Sequence, residues 1–312
     1  MATLAIIGAG GVLGAKLVEA ALRETSNDLL ACTHGAVPRI PAASSPRVRW
    51  MVLDIADAEA VRAAITQARP YAVITSAAMT NVDACETQRE RAYAANVAGP
   101  EHIARACVEA GAALTHVSTD YVFPGEDAHP GPYVEGDPVG PVNYYGQTKL
   151  EGERAVERIC AGQVPWLVAR TALVYGYVPG GRTNFIRWLA GELRAGRRVK
   201  VVNDQFNTPT LAEDLAAVLL SLTQRSVTGV IHLAGPDLVS RVEWARAIAG
   251  FYGLDESLID ITTTAALGQP ARRPLRSGLR TIRGAELGGM SLRGIQAGLE
   301  ALSLEQGEEG RK

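Results

Sequence analysis

A tyrosine and a lysine stand four positions apart in the segment Tyr145-Gly146-Gln147-Thr148-Lys149. Residues with this spacing share one face of an α-helix, so the lysine ammonium can lie beneath the tyrosine phenol. An unperturbed tyrosine has a pKa of about 10, and a nearby cation stabilises the phenolate and brings that pKa towards neutrality. Tyr145 and Lys149 are therefore candidates for proton transfer to a substrate oxygen. Because the same spacing is common on exposed helix faces, the pair alone does not establish this chemistry.

A glycine-rich turn near the N-terminus supplies a second kind of chemistry. Its glycines, Gly8, Gly11 and Gly14, follow an apolar run and precede a helical pattern that opens with Val12 and Leu13. Leu13 occupies the position of the last glycine in a G-x-G-x-x-G motif, so the motif here is G-x-x-G-x-x-G. Glycines at such a turn let the backbone approach a pyrophosphate, and the following helix N-terminus holds the anion. Although an ordinary strand-to-helix turn is the alternative, the position at the first β-α junction favours a dinucleotide site.

The end of the second apolar run bears on the choice of cofactor. A site for NAD usually has Asp or Glu at that point, where it accepts hydrogen bonds from the ribose hydroxyls. This chain has Thr33 and His34 instead, and Asp28 stands at the start of the run. NADP(H) is therefore preferred over NAD(H), with His34 or Arg39 expected near the 2′-phosphate. Asp54, followed by Ile55, ends the third run and suits a contact with the adenine amino group.

Short apolar runs and longer helical patterns alternate over the first half of the chain and would position these residues. Runs begin near Leu4, Leu29, Val48, Ala72 and Leu114, and Pro- and Gly-rich residues 124–143 form a loop before a helix at Tyr144–Cys160. This alternation predicts an α/β fold with a doubly wound parallel sheet of the Rossmann type. We expect residues 1–175 to hold cofactor and catalysis, and residues 176–312 to form mainly a smaller C-terminal substrate-binding lobe. A later strand near 229–235 is expected to return to the sheet.

Composition excludes several classes of protein. The 312 residues carry 31 Lys+Arg and 33 Asp+Glu, a balance that argues against nucleic acid or a membrane surface as partner. No apolar run approaches the roughly 18 residues of a membrane span. The four cysteines are far apart and no histidine completes a metal site, so we expect no metal and a cytoplasmic location.

Motifs along nearly the whole chain resemble the extended short-chain dehydrogenase/reductase family, most closely its dTDP-4-dehydrorhamnose reductase branch. Besides Gly8–Gly14, the resembling segments are 77–86, 96–99, 118–123, 133–138, 145–153, 170–176, 184–185, 204–210 and 229–235. The likeness implies NADPH-dependent reduction of the 4-keto group of a nucleotide-activated deoxysugar. Sugar-nucleotide 4,6-dehydratases have Asp-Glu after the catalytic Thr, whereas Tyr121 follows Asp120 here. An epimerase, or a non-catalytic NADP-binding regulatory subunit, stays open as an alternative.

The resemblance also implies roles for individual residues. Tyr145 would be the general acid, Lys149 would hydrogen-bond the nicotinamide ribose, and Thr119 would donate to the substrate oxygen, with Ser118 as the alternative hydroxyl. Further residues are expected to line the cofactor: Ser76, Ala77, Ala78 and Asn96. Residues expected at the substrate are Asp120, Tyr121, Asn184 and Arg273, the last because paired guanidinium bonds suit a diphosphate. The expected partners are a nucleotide sugar and a second copy of the chain as a homodimer.

Overall fold

A computed structural model describes residues 2–181 and 183–306 of the chain. Its first half consists of β1 (Thr3–Ile7), α1 (Val12–Glu24), β2 (Asp28–Thr33), β3 (Val48–Val52), α2 (Ala58–Ala68), β4 (Ala72–Thr75), α3 (Val82–Thr87), α4 (Arg89–Tyr93), α5 (Gly99–Ala110), β5 (Ala113–Thr119), α6 (Tyr144–Cys160) and β6 (Trp166–Thr171). The second half consists of β7 (Val174–Tyr175), α7 (Phe185–Arg194), β8 (Val199–Val202), β9 (Phe206–Asn207), β10 (Thr210–Leu211), α8 (Ala212–Gln224), β11 (Gly229–His232), β12 (Val239–Ser240), α9 (Arg241–Tyr252), β13 (Ile259–Thr262), α10 (Thr264–Leu267), α11 (Arg283–Gly288) and α12 (Ile295–Gln306).

Seven parallel strands form the central sheet in the order β3-β2-β1-β4-β5-β6-β11. The chain winds outwards in one direction from β1 to β3 and in the other from β4 onwards, so the order reverses between β1 and β4. In such sheets, ligands bind outside the carboxyl ends of the strands at the point of reversal. The predicted doubly wound parallel sheet is confirmed, and its carboxyl edge is the place to look for a site.

Both faces of the sheet are covered by helices, which explains why the strands are almost continuously apolar. Leu4 and Ile6 of β1 have no exposed surface and pack in one cluster with residues of α1 and α8, such as Leu17 and Leu219. Ala5 and Ile7 point to the other face and pack with residues of α2, α5 and α6, such as Ile103. The alternation of neighbouring strand residues between two cores fixes the strands' register.

The second half of the chain divides between the central sheet and a separate apolar cluster. Helix α8 packs against α1, and β11 pairs with β6, so both belong to the layers around the sheet. A further cluster is formed by α7, α9 and α12 around Leu189, Trp244 and Leu299. Three two-stranded sheets, β7·β10, β9·β12 and β8·β13, accompany it. The boundary at residue 175 stays a prediction. Helix α8 follows that residue in the sequence, but it packs against α1 of the first part.

The described residues contain neither a membrane-spanning helix nor a metal-binding cluster. Among residues 2–181 and 183–306, no helix is long and apolar enough to cross a membrane. Over the same residues, no group of three or more His, Cys, Asp or Glu side chains could hold a metal ion. The four cysteines are buried free thiols.

Candidate active site

Two hydroxyl-bearing side chains, Thr119 and Tyr145, meet at the carboxyl edge of the sheet. Thr119 is the last residue of β5, and Tyr145 lies in the first turn of α6. The helix begins at Asn143, whose side chain accepts a hydrogen bond from the Gly146 N–H at 2.8 Å. A Cβ atom on Gly146 would lie 2.2 Å from the Tyr121 carbonyl oxygen, so glycine lets the helix approach the turn after β5. This close approach brings the Tyr145 phenol to Thr119.

The Tyr145 phenol is held in its protonated form. Burial raises its pKa well above the ordinary value, and the nearby Asp120 and Tyr121 groups raise it further. A hydrogen bond with the Thr119 side chain acts in the opposite direction and is the smaller effect. The ring also packs edge-on against Tyr121, with centroids 5.7 Å apart. A phenol that stays protonated at neutral pH suits the donation of a proton rather than its abstraction.

The structure corrects the expectation that the lysine lowers the tyrosine pKa. Lys149 Nζ donates to the Val117 carbonyl oxygen at 2.8 Å and lies 3.3 Å from His116 Nε2. Burial lowers the Lys149 pKa to about 8, although the charge of Glu153 raises it. The two residues share a helix face, but the ammonium is directed towards β5. Burial of the phenol therefore determines the tyrosine pKa in this structure.

Thr119 and the adjacent Ser118 differ in their surroundings. The Thr119 hydroxyl donates to Asp120 Oδ1 at 3.1 Å and accepts from the Tyr121 N–H at 3.2 Å. Ser118 Oγ is buried and has no hydrogen-bond partner among the described residues. Successive strand residues point to opposite faces, so only one of the two hydroxyls can face Tyr145. The contact with Tyr145 belongs to Thr119.

Asp120 is buried beneath the site rather than open to it. Its Oδ2 accepts hydrogen bonds from Ser277 Oγ at 2.5 Å and Asn207 Nδ2 at 3.2 Å, while Oδ1 accepts from Thr119. Burial raises its pKa to about 6, and these three donors lower it. With 3 % of its surface exposed, the side chain has protein partners on both oxygens in this structure, and its expected substrate role stays a prediction. It ties Thr119 to two segments of the second half of the chain.

The glycine-rich turn has the geometry of a pyrophosphate site. Gly8 has a φ of 91°, and an added Cβ would lie 2.7 Å from the Ala77 amide nitrogen and 2.9 Å from Ser76 Oγ. A Cβ on Gly14 would lie 2.1 Å from the Gly8 carbonyl oxygen, so the helix packs directly on the turn. Helix α1 starts at Gly11 with no side-chain cap, which leaves its first N–H groups free for an anion. These observations fit a bound dinucleotide phosphate, with Val12 and Leu13 in the first helical turn.

The expected adenosine end of the site lies at the ends of β2 and β3. Thr33 is buried and its hydroxyl donates to the Gly35 carbonyl oxygen, while His34 is exposed. Asp54 is exposed and accepts from the Ala56 N–H at 2.9 Å. Ile55 is buried, and an added Cβ on the α5 glycine, Gly99, would lie 2.6 Å from its Cδ1 atom. Thus His34 and Asp54 offer accessible polar groups, whereas the side chains of Thr33 and Ile55 are shielded.

Asn96 supports the site from behind. Its side chain accepts from the Met79 N–H at 2.8 Å and donates to the Met79 carbonyl oxygen and to Thr148 Oγ1, both at 3.1 Å. It has no exposed surface in this structure, and its expected place at the cofactor stays a prediction. The residue links the segment after β4, where Ala77 and Ala78 are partly exposed, to helix α6.

Two of the expected substrate residues have protein partners in this structure. Asn184 caps α7 by accepting from the Arg187 N–H at 3.0 Å, and its amide donates to the Gly176 carbonyl oxygen at 2.7 Å. Each polar atom of the amide thus has one protein partner, and the expected substrate role of Asn184 stays a prediction. Arg273 pairs with Asp83 at 2.9 Å and donates to the Ala271 carbonyl oxygen at 2.7 Å. Tyr121, the remaining member of the set, is partly exposed beside Tyr145.

Arg241 is a cation near the site that sequence reasoning did not single out. Its guanidinium lies 5.2 Å from the ring centre of Phe185 and 5.7 Å from that of Trp244. Its backbone N–H donates to the Gln205 carbonyl oxygen at 3.0 Å, whereas no oxygen of the described residues accepts a hydrogen bond from the guanidinium. The charges that act on it are those of Tyr121, Asp120 and Arg273, and burial lowers its pKa. The residue follows the Ser240 helix cap, and nothing in its spacing connects it with the distant Tyr121.

Comparisons with known proteins agree with this arrangement. The RmlD substrate binding domain family matches residues 1–306. The dTDP-4-dehydrorhamnose reductase of Mycobacterium tuberculosis strain H37Rv is 39% identical over 294 residues, covering 93% of this chain and 88% of that protein. A crystal structure of the Bacillus anthracis dTDP-4-dehydrorhamnose reductase in complex with NADP has a TM-score of 0.82 at 27% identity, covering 98% of this chain and 100% of the other. The Clostridium acetobutylicum reductase structure has a TM-score of 0.81 at 31% identity, covering 96% and 98%.

The fold and site together define an oxidoreductase of the extended short-chain dehydrogenase/reductase class. The doubly wound sheet and the glycine turn before α1 fit that class, and the catalytic roles of Thr119, Tyr145 and Lys149 stay predictions. The chain belongs to the RmlD substrate binding domain family.

Proposed function

We propose that the chain catalyses the NADPH-dependent reduction of the 4-keto group of a nucleotide-activated deoxysugar. The observation that carries this proposal is the protonated Tyr145 phenol beside the Thr119 hydroxyl at the carboxyl edge of the sheet. The family, and a relative named dTDP-4-dehydrorhamnose reductase, support a sugar-nucleotide substrate. Neither an epimerase nor a regulatory subunit is favoured by these relatives.

NADP(H) is the preferred cofactor. The ends of β2 and β3 offer the exposed His34, and Thr33 replaces the acidic residue that would repel a 2′-phosphate. The Bacillus anthracis relative was crystallised with NADP, whereas a more distant neighbour, MoeE5, was crystallised with NAD. We therefore keep NAD(H) as the weaker cofactor. The open amides of the α1 N-terminus hold the pyrophosphate, as the uncapped helix start allows.

The reduction divides between cofactor and protein. The nicotinamide, when bound, supplies the hydride. Tyr145 presents its hydroxyl to the ketone oxygen, and Thr119 does the same when its proton turns from Asp120 Oδ1 to that oxygen, which orients the carbonyl and polarises it. Tyr145 gives its proton to that oxygen as negative charge develops, because a phenolate is less costly there than an alkoxide. Lys149 would hold the nicotinamide ribose through its ammonium.

Two arginines are candidates to hold the diphosphate of the substrate. Arg273 has its pairing with Asp83, so it carries less free hydrogen-bonding capacity. The Arg241 guanidinium contacts the aromatic rings of Phe185 and Trp244, and its N–H donors need acceptors that these rings do not supply. We therefore assign the principal anion contact to Arg241 and a supporting one to Arg273. Tyr121 forms the wall between this anion site and Tyr145.

The test of the function is NADPH oxidation against a panel of 4-keto nucleotide sugars that differ in base and in sugar. Turnover with at least one member is expected, and NADH should be the poorer donor. The Tyr145→Phe variant should lose about 10²–10⁴-fold in kcat and still bind NADPH. Ser118→Ala serves as the matched control and should keep its activity, whereas Thr119→Val should not. A Tyr145→Phe variant with near-native turnover refutes the assigned general acid.

A separate outcome distinguishes the regulatory alternative. NADPH binding without turnover of any panel member, together with co-purification of another protein, would favour a regulatory subunit. Interconversion of sugars without net NADPH consumption would favour an epimerase. Both results would contradict the proposed reduction while leaving the cofactor site intact.

Assembly and location are further parts of the proposal. The four buried free thiols fit a reducing compartment, so we propose a cytoplasmic location, which cell fractionation tests. We also propose a homodimer. Size-exclusion chromatography with light scattering measures its mass directly.

A further inference from the structure

The two strand histidines, His116 and His232, are both buried, and only His116 contacts a residue of the proposed machinery. His116 lies in the middle of β5 with no exposed surface, and its Nε2 atom is 3.3 Å from Lys149 Nζ. Its Nδ1 atom has no hydrogen-bond partner among the described residues. A buried polar ring that makes one polar contact, to an ammonium, calls for an explanation.

The chemistry of the contact assigns the ring proton. An ammonium only donates, so His116 Nε2 must accept, and the proton of the neutral imidazole is then on Nδ1. Burial and the Lys149 charge both hold the His116 pKa well below its ordinary value, so the ring stays neutral at physiological pH. A protonated ring could not accept this bond and would repel the ammonium.

Few other groups near Lys149 could accept a hydrogen bond from its ammonium. The Val117 carbonyl accepts a second bond at 2.8 Å, which leaves the third ammonium donor for a ligand. The nearest carboxylate, Glu153, is one helical turn away and already accepts from Arg170 at 2.8 Å in a buried ion pair. His116 faces Thr75 of β4 and Val168 of β6 in the sheet register, and neither carries a charge.

We propose that His116 is a positioning residue that, as a neutral imidazole, holds the Lys149 ammonium in the orientation required by the cofactor. The inference rests on the proposed function, in which Lys149 holds the nicotinamide ribose. Loss of the Nε2 acceptor removes one of the two contacts that fix the ammonium. It also disfavours the charged form of a lysine already shifted towards neutrality by burial.

A pair of amide substitutions separates this role from packing. In His116→Gln the side-chain oxygen can reach the position of Nε2, whereas in His116→Asn the shorter side chain places its oxygen near Nδ1. We expect His116→Asn to raise KM for NADPH about tenfold and to move the alkaline limb of kcat/KM to lower pH by about one unit. His116→Gln should restore both values largely to those of the native enzyme. His232→Gln, a buried histidine whose ring contacts the Tyr133 carbonyl oxygen instead, is the control and should leave the limb unchanged.

The measurements are steady-state pH profiles, NADPH titrations by fluorescence and melting temperatures of all three variants. An unchanged alkaline limb and KM in folded His116→Asn, or equal shifts in His116→Asn and His116→Gln, would overturn the inference. If His116→Asn does not fold, an ¹⁵N-lysine titration of His116→Gln and native protein decides, because the Lys149 pKa must then agree between them. A different variant tests the proposed function itself. If Lys149→Met retained native NADPH affinity and turnover, the proposed role of Lys149 would be wrong whatever the result for His116.

Discussion

Arg273 and Asp83 form an ion pair at 2.9 Å across 190 positions of sequence. Asp83 lies in the first turn of helix α3, and the Arg273 segment also meets Asn143, which donates to the Arg272 carbonyl oxygen at 2.8 Å. The pair joins this loop to helix α3, and the bond from Asn143 joins the same loop to the start of the catalytic helix α6. Arg273, which the sequence suggests as a diphosphate ligand, thus also has a structural ion pair.

A first prediction concerns Arg241 and its matched control. Arg241→Gln should raise KM for the nucleotide sugar by roughly 10- to 100-fold, because a hydrogen bond to a charged group is lost. Arg246→Gln, an exposed substitution on the same helix α9, should leave KM unchanged. Arg273→Gln should lower the melting temperature, since Asp83 loses its partner. It should raise KM less than Arg241→Gln does. Initial rates and differential scanning fluorimetry measure these effects. Equal KM values for Arg241→Gln and the native enzyme would contradict the anion site.

The pH dependence of the reaction follows from Lys149 rather than from Tyr145. Burial lowers the Lys149 pKa to about 8, and the ammonium that holds the cofactor is therefore lost as pH rises through that value. The Tyr145 phenol stays protonated over this range, since its pKa is raised. We expect kcat/KM for NADPH to fall above about pH 8, with the KM rising before kcat falls. A profile that is flat to pH 9.5 would mean that the ammonium is not needed.

The close packing of the glycine turn gives a stability prediction. Gly14→Ala places a methyl group 2.1 Å from the Gly8 carbonyl oxygen, so helix α1 must move away from the turn. We expect a lower melting temperature and a loss of NADPH affinity of at least tenfold. Gly35→Ala is the control, because a Cβ there meets no atom within 4 Å. Thermal melts with and without NADPH provide the measurement. Native affinity in Gly14→Ala would show that the turn tolerates the shift.

Asp120 provides a prediction about stability and pH. Its pKa is raised to about 6 in the folded chain from an ordinary 3.8, so the native state binds the proton more tightly than the unfolded state. The penalty for the buried charge is therefore absent at low pH and appears as pH rises from about 4 to about 6. Relative to the native chain, Asp120→Asn should gain melting temperature over this interval and show no further relative gain above it. A difference between the two that does not vary with pH would contradict this assignment.

Local pattern was sufficient for the elements around the site. The turn at Gly8, strand β4 at Ala72–Thr75 and helix α6 at Tyr144–Cys160 follow from apolar periodicity and from the glycines and prolines that interrupt it. These features depend on neighbouring residues, which a sequence displays directly. The placement of β11 beside β6 also agrees with the expected return of that strand to the sheet.

Contacts between distant segments could not be read in the same way. The direction of the Lys149 ammonium depends on the backbone of β5, and the use of Asn184 as a helix cap depends on where α7 begins. The nearness of Arg241 to Tyr121 and Asp120 depends on how α9 packs against the rest of the chain. Each of these outcomes depends on tertiary packing, which overrides the preference of a residue type considered alone.

The position of Asp120 has a consequence for engineering. Its carboxylate accepts from Thr119 in the first part of the chain and from Asn207 and Ser277 in the second, so a single buried group links the two parts. Chimeras that exchange substrate-binding segments between relatives should remain active only when these positions are transplanted as a set. An exchange of segments that ignores Asp120 would leave a buried carboxylate without its donors.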